Sequence, residues 1–185
     1  IVGLRLFELG SKFVENSDFF LYARDVLQDL AKTVGETAHL AALDGGDVVY
    51  LGKCEGAHLV RMSSSVGKRL PAYATALGKA LLSGKSQAEV RELYRESGLR
   101  QITPHTITDM EQLLAQLEEV RRTGFAFERE ESSLGVQCAA VPVCQGSGAV
   151  YLGLSVAVPV GCSQEGLERM KQPLQEARSR LERVL

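Results

Sequence analysis

The sequence predicts an α+β domain with a largely antiparallel sheet of about five to six strands, flanked by helices. Strand-like runs fall in two blocks separated by helical segments, an order that favours α+β over alternating βαβ units. An Asp-Gly pair, Asp44-Gly45, joins two of the runs and marks a hairpin. No GxGxxG motif or P-loop lysine follows any strand, so the nucleotide-binding α/β classes lack their signature.

The helices are read from caps and apolar spacing. Ser17 or Asp18 caps a helix to about Val34, with Phe20, Ala23, Leu27, Leu30 and Val34 on one face and Gly35 as its stop. Thr37–Leu43 and Val48–Lys53 form the hairpin, and His58–Met62 reads as a third strand before the polar loop SSSVGKR. Pro71 suits the first turn of a short helix that continues through ATALGKALL to Gly84. Ser86 and Glu89 form a capping box for a helix ending near Gly98. Thr108 and Glu111 form a second box, opening a helix with Met110, Leu113, Leu114, Leu117 and Val120 inward and Gly124 at its end.

Strands follow near Phe125–Glu128, Val136–Cys144 and Ala149–Val158. The last helix starts around Ser163 and carries Leu167, Met170, Leu174, Ala177, Leu181 and Val184 in a seven-residue repeat. That stripe suits packing on the sheet or pairing with another copy. Pro173 is expected to kink the helix or divide it.

A chain of 185 residues is long enough for one substantial domain, burying roughly 70% of its unfolded surface. With 45% hydrophobic and 24% charged residues, the composition is that of a folded globular protein. Net charge is -2 and the basic residues are scattered, which argues against direct grip on nucleic acid. No apolar run reaches the roughly 18 to 20 residues that cross a bilayer, and no signal peptide opens the chain. Cys54, Cys138, Cys144 and Cys162 show no CxxC spacing, so reduced cysteines in a cytoplasmic protein are expected. No metal or cofactor is expected. Cys54 and His58 lie four apart, but that spacing serves a helix and these residues flank a turn. The opening IVGLRLFELGSKF reads as the tail of an upstream region.

Candidate functional residues concentrate in two stretches. In GKRLPAYATALGKALL, a helix starting at Pro71 offers free N–H groups and the positive end of its dipole to an anion. Its small residues Ala72, Ala74 and Ala76 admit a ligand or another backbone. In the second stretch, Phe125 and Phe127 point to one face of a strand, so Glu128 points to the other. If enclosed, Glu128 accepts hydrogen bonds, or donates one once burial raises its pKa. Glu130 and Glu131 are expected as solvated turn residues. Cys138 suits three roles: nucleophile, weak donor to a ligand, or small packed hydrophobe. Its nucleophilic role lacks a base, because His39, His58 and His105 show no catalytic signature. Ser155, mid-strand among apolar residues, needs a partner for its hydroxyl.

The segments GLRLFELG, GKRLPAYATALGKALL, TPHTITDMEQLLAQLEEVRRTGFAFEREESSLGVQCAAVPV and GLSVAVP occur in the order found in IclR-type transcriptional regulators. The chain resembles that family over essentially its whole length. The resemblance implies a GAF-like effector-binding domain at 17–185, preceded at 1–16 by the linker from a winged helix-turn-helix domain. It implies a small organic-acid effector, contacted at Thr75, Ala76, Leu77, Glu128, Cys138 and Ser155. It further implies assembly as a homodimer or homotetramer, contact with operator DNA only through the N-terminal domain, no membrane and no enzymatic activity. Three positions depart from the family pattern: Tyr73 where His is frequent, Glu128 where some members have the shorter aspartate, and Ala157 in place of a second hydroxyl. Leu77 is also bulkier than the residue of oxoacid sensors. These departures predict a cavity with fewer donors and a more apolar wall, suited to an effector with an apolar or aromatic portion. Two other readings stand beside this one: a cysteine-dependent small-molecule hydrolase using Cys138, and a ligand-free assembly module.

Overall fold

Helix α1 spans Asp18–Val34 in the computed structural model, and its caps explain its limits. Ser17 Oγ accepts from the Phe20 amide, and Gly35, at φ 75°, donates its N–H to the Ala31 carbonyl. Ala23, Val26, Leu27, Leu30 and Ala31 are the buried face. The structure describes residues 3–5, 8, 10, 12, 17–57 and 64–185. Within the expected linker, the described positions 4, 5, 8, 10 and 12 are helical.

Strands β1 (Thr37–Asp44) and β2 (Asp47–Cys54) form the predicted hairpin. Then come β3 (Arg69–Pro71), a single 3-10 turn at Ala72–Ala74, and the helices α2 (Ala76–Leu82), α3 (Gln87–Leu93) and α4 (Met110–Thr123). Strands β4 (Ala126–Arg129), β5 (Val136–Cys144) and β6 (Val150–Pro159) and helix α5 (Gln164–Glu182) complete the chain. The six strands make one antiparallel sheet in the order β3-β2-β1-β6-β5-β4.

Alternation along the strands gives the sheet two different faces. Leu40, Val141, Leu154 and Val156 pack with α1 and α5 on one side, where Leu174 and Leu181 are fully buried. The stripe on α5 therefore packs on the sheet. It also meets α1, where Arg180 pairs with Asp29 at 3.0 Å. The opposite face carries His39, Ala41, Cys138, Ala140, Ser155 and Ala157 and is covered by α2 and α4.

Helix α2 seats closely because two glycines clear its path. A Cβ at Gly153 of β6 would lie 3.0 Å from Leu77 Cδ2 and 3.3 Å from the Leu77 carbonyl oxygen. A Cβ at Gly78 would lie 2.0 Å from the Ala72 carbonyl oxygen.

Several expectations are corrected. The helix does not start at Pro71. Pro71 ends β3, and α2 begins only at Ala76, because Thr75 is extended (φ -127°, ψ 145°) and caps the Gly78 amide with its Oγ1 at 2.9 Å. Asp109, not Thr108, caps α4, accepting from the Gln112 amide at 2.8 Å. Pro173 does not divide α5, which runs unbroken through it. Regular helix in α3 stops at Leu93, short of Gly98. The strand expected at His58–Met62, and His58 itself, lie outside the described residues.

Gly78→Ala should destabilise the domain by roughly 1–3 kcal/mol in urea denaturation, despite alanine's better helix propensity, because the new methyl meets backbone. Gly146→Ala, whose Cβ meets nothing within 4 Å, should stay within about 0.5 kcal/mol of the parent. Equal effects at the two positions would contradict the close-seating argument.

Candidate functional site

The second sheet face is not fully covered. Between the N-terminal turn of α2, strands β1, β2, β5 and β6, and the segment after β4 lies a cavity of about 380 Å³. All six residues that the family resemblance implied line it: Thr75, Ala76, Leu77, Glu128, Cys138 and Ser155; Ala72 and Ala74, also singled out from the sequence, are not among its lining.

Strand pairing explains the gathering. Glu128 lies opposite Cys138, Cys138 opposite Ala157, and Ser155 opposite both Ala140 and His39. Directly opposed residues share a face, so Glu128, Cys138, Ser155 and His39 all point inward. The β4 pattern of alternating burial puts Phe127 outside at 37% exposure and Glu128 inside at 4%.

Other lining residues were not anticipated: His39, Tyr50, Ser64, Lys68, Leu70 and the run 132–136. Tyr50 reaches the cavity through a bulge. In the β1–β2 pairing Leu40 faces Gly52 and Ala41 faces Tyr50, so Leu51 is an extra residue. In regular pairing Ala41 would face Leu51, and Tyr50 would point to the other side of the sheet. The wall is consequently more polar than the departures at Tyr73, Leu77 and Ala157 suggested. Tyr73 itself turns away, donating its hydroxyl to the Arg100 carbonyl at 2.8 Å.

The electrostatics follow from burial. Desolvation raises Glu128 from 4.5 to about 7, against the opposing effect of hydrogen bonds from the Cys138 thiol and the Glu131 amide. The Glu131 N–H donates to Glu128 Oε2 at 3.0 Å. Burial first, and then the neighbouring Glu128 carboxylate, hold the Cys138 thiol well above its usual range. A nucleophilic thiolate is thus disfavoured where it stands. Desolvation, helped by Lys53, lowers His39 to about 4, and its Nε2 lies 2.8 Å from Ser64 Oγ. Desolvation also raises Tyr50.

Glu131 corrects another expectation. It is not a solvated turn residue but is 7% exposed, and its Oε1 accepts from Lys79 Nζ at 2.5 Å. Among the described residues no group of three or more His, Cys, Asp or Glu is placed to hold a metal ion. No helix among them is long and apolar enough to cross a membrane.

The family profile described as "Bacterial transcriptional regulator IclR C-terminal" matches residues 11–183. The chain belongs to the IclR family. It is 40% identical over 156 residues to the HTH-type transcriptional regulator KdgR of Dickeya chrysanthemi, covering 84% of this chain and 51% of that protein. The chain spans about half to three-fifths of the length of the curated relatives it matches. Among solved structures, the Thermotoga maritima IclR superposes with a TM-score of 0.89 at 33% identity, covering 99% of this chain and 74% of that one. The inducer-binding domain of a PobR double mutant from Acinetobacter, solved as a 3-hydroxybenzoic acid complex, gives a TM-score of 0.79 at 29% identity. It covers 88% of this chain and 97% of that one. The fold is thus the α+β effector-domain fold of IclR proteins. The family is one of transcriptional regulators, which leaves the hydrolase reading without support.

Glu128 and His39 should oppose each other in the pH dependence of stability. Native Glu128 holds its proton up to about pH 7 while the unfolded side chain releases it near 4.5, so this residue makes stability fall as pH rises between those values. Native His39 stays neutral down to about pH 4 while the unfolded ring protonates near 6.5, so it makes stability fall as pH drops through that window. Each is worth roughly 3 kcal/mol, and they largely cancel where the windows overlap. Relative to the parent, Glu128→Gln should therefore gain stability as pH rises from about 4.5 to 6.5, and His39→Gln should lose it. Urea midpoints across that range check this; parallel profiles for all three proteins would refute the assignment.

Proposed function

We propose that this IclR-family domain senses a small organic acid with an apolar or aromatic portion. Effector binding biases the arrangement of subunits in a homodimer or homotetramer, and so the operator affinity of an N-terminal DNA-binding domain. The observation that carries this reading is the convergence on one cavity of a lysine, several hydroxyls and a buried carboxyl close to its titration point.

Each component suits such a ligand. The volume of about 380 Å³ lies at the lower end of small-molecule sites. Lys68 supplies positive charge, while Ser64, Thr75, Ser132, Ser133 and Ser155 supply hydroxyls. Leu70, Leu77, Leu134 and Val136 supply apolar wall for a ring or alkyl part. Glu128, protonated, donates to an acid or carbonyl oxygen; ionised, it repels one. The 3-hydroxybenzoic acid bound by the PobR domain, a relative at 29% identity, is an acid of this kind. A pocket filled only for assembly would not combine this polarity with open volume.

Binding can redistribute subunit arrangements only through a difference in affinity between them. Helices α1 and α5, joined by Arg180 and Asp29, are the elements we assign to that transmission.

A thermal-shift panel of two-carbon oxoacids, sugar acids and hydroxybenzoates tests the reading. An effector at about 100 times its Kd adds roughly 2.7 kcal/mol of stability. The expected hit is an acid larger than glyoxylate, lost in the Glu128→Ala/Ser155→Ala double variant. Its affinity should weaken about tenfold per pH unit above the Glu128 titration, and Glu128→Gln should flatten that dependence. Tightest binding by the smallest oxoacids would overturn the apolar-portion assignment, and no saturable binding across the panel would favour the assembly module.

A further inference from the structure

Lys79 is an unusual residue to find in the middle of a seven-residue helix packed on a sheet. It is 1% exposed, and its Nζ reaches Glu131 Oε1 at 2.5 Å and the Phe127 carbonyl oxygen at 3.4 Å. Taking the ammonium out of water lowers its pKa, and the Glu131 carboxylate counters that shift. Glu131 Oε2 is buried without a hydrogen-bond partner among the described residues.

Glu131 is also a junction. Its backbone N–H donates to Glu128 Oε2 at 3.0 Å, and its carbonyl accepts from Thr106 Oγ1 at 2.6 Å. Directly after it, residues 132–136 form one wall of the cavity. Just before it, Glu130 takes a left-handed conformation, φ 59°, the only such non-glycine among the described residues. Thr103 Oγ1 donates to the Glu130 carbonyl at 2.5 Å, and Glu130 Oε1 accepts from the Gly135 amide at 2.8 Å. The segment 130–135 is thus tied to α2 through one side chain and to residues 103–106 through two hydroxyls.

A buried ion pair adds little net stability, because desolvation offsets the attraction, and an apolar pair of the same shape often serves as well. What charge adds here is a fixed position for Glu131, hence for the amide that holds Glu128. We infer that Lys79 and Glu131 are positioning residues of the effector cavity: their ion pair pins segment 130–135 as its roof and aims the Glu128 carboxylate. This deepens the effector-site reading and rests on it only for the purpose of the closure.

Cys138 reports the roof without any effector. It lines the cavity, whereas Cys54, Cys144 and Cys162, also partly exposed, lie outside its lining. Peptide-resolved alkylation by iodoacetamide, followed over a pH series, therefore gives one probe and three internal references. The series separates access, which changes the plateau rate, from thiol acidity, which moves the apparent pKa. In the Lys79→Met/Glu131→Gln variant, which leaves no unpaired buried charge, the Cys138 plateau rate should rise about tenfold, as a local opening made about 1.4 kcal/mol easier would. The three reference rates should not change. Glu131→Gln alone should move Cys138 in the same direction. An unchanged Cys138 plateau in a folded double variant overturns the inference. So does a rise at all four cysteines, or failure to fold, since the pair would then hold the whole domain rather than the roof. Because no effector enters this experiment, its failure is distinguishable from that of the ligand panel.

Discussion

Helix α2 rests directly on the centre of the sheet, and the cavity, its wall and its roof all take their positions from that contact. The helix can approach the sheet that closely because Gly153 carries no side chain beneath Leu77, and Gly78 likewise lets it pack against the backbone of the preceding 3-10 turn at Ala72. Having reached the sheet, the helix covers only part of a face that alternation has already furnished with Cys138, Ser155 and His39. Its first residues then form one side of the remaining space, and Lys79, one turn further on, reaches the segment that forms another.

The same burial that makes the cavity sets its chemistry. Glu128 on β4 and His39 on β1 face the same cavity, with β5 and β6 between them, and desolvation drives both toward neutrality, the acid by keeping its proton and the base by losing it. Between about pH 4 and 7 the interior therefore holds a carboxyl and an imidazole largely without formal charge. The carboxyl is the more responsive of the two, since its titration lies close to neutrality. A ligand oxygen arriving beside it meets a group able to change from acceptor to donor at small cost. Cys138, its thiol held protonated beside Glu128, is by contrast a poor nucleophile.

Much of this was legible in the chain as written. The caps at Ser17, Ser86 and Ser163 and the stops at Gly35 and Gly124 act within a few residues of themselves. Alternation about Phe127 was enough to turn Glu128 inward. The errors have local causes as well. Pro71 suits a helix start, but a threonine four residues later offered a better cap and broke the segment in two. Glu131 follows Glu130 in an acidic turn that looks solvated, and nothing nearby in sequence announces its partner.

By itself, then, the sequence determined most of the order of elements and singled out Glu128, Cys138 and Ser155, because periodicity and capping are local and survive without knowledge of neighbours. Thr75 and Leu77 came only from the family resemblance, and strand β3 had no local signal. Tertiary structure alone decided the rest. The extra residue Leu51 turns Tyr50 into the cavity, a matter of register between strands rather than of composition. Lys79 is buried beside a carboxylate 52 residues away, and burial of a charge is tolerable only where such a partner arrives. The titration points of Glu128 and His39 depend on how completely water is excluded, which no short stretch of sequence encodes.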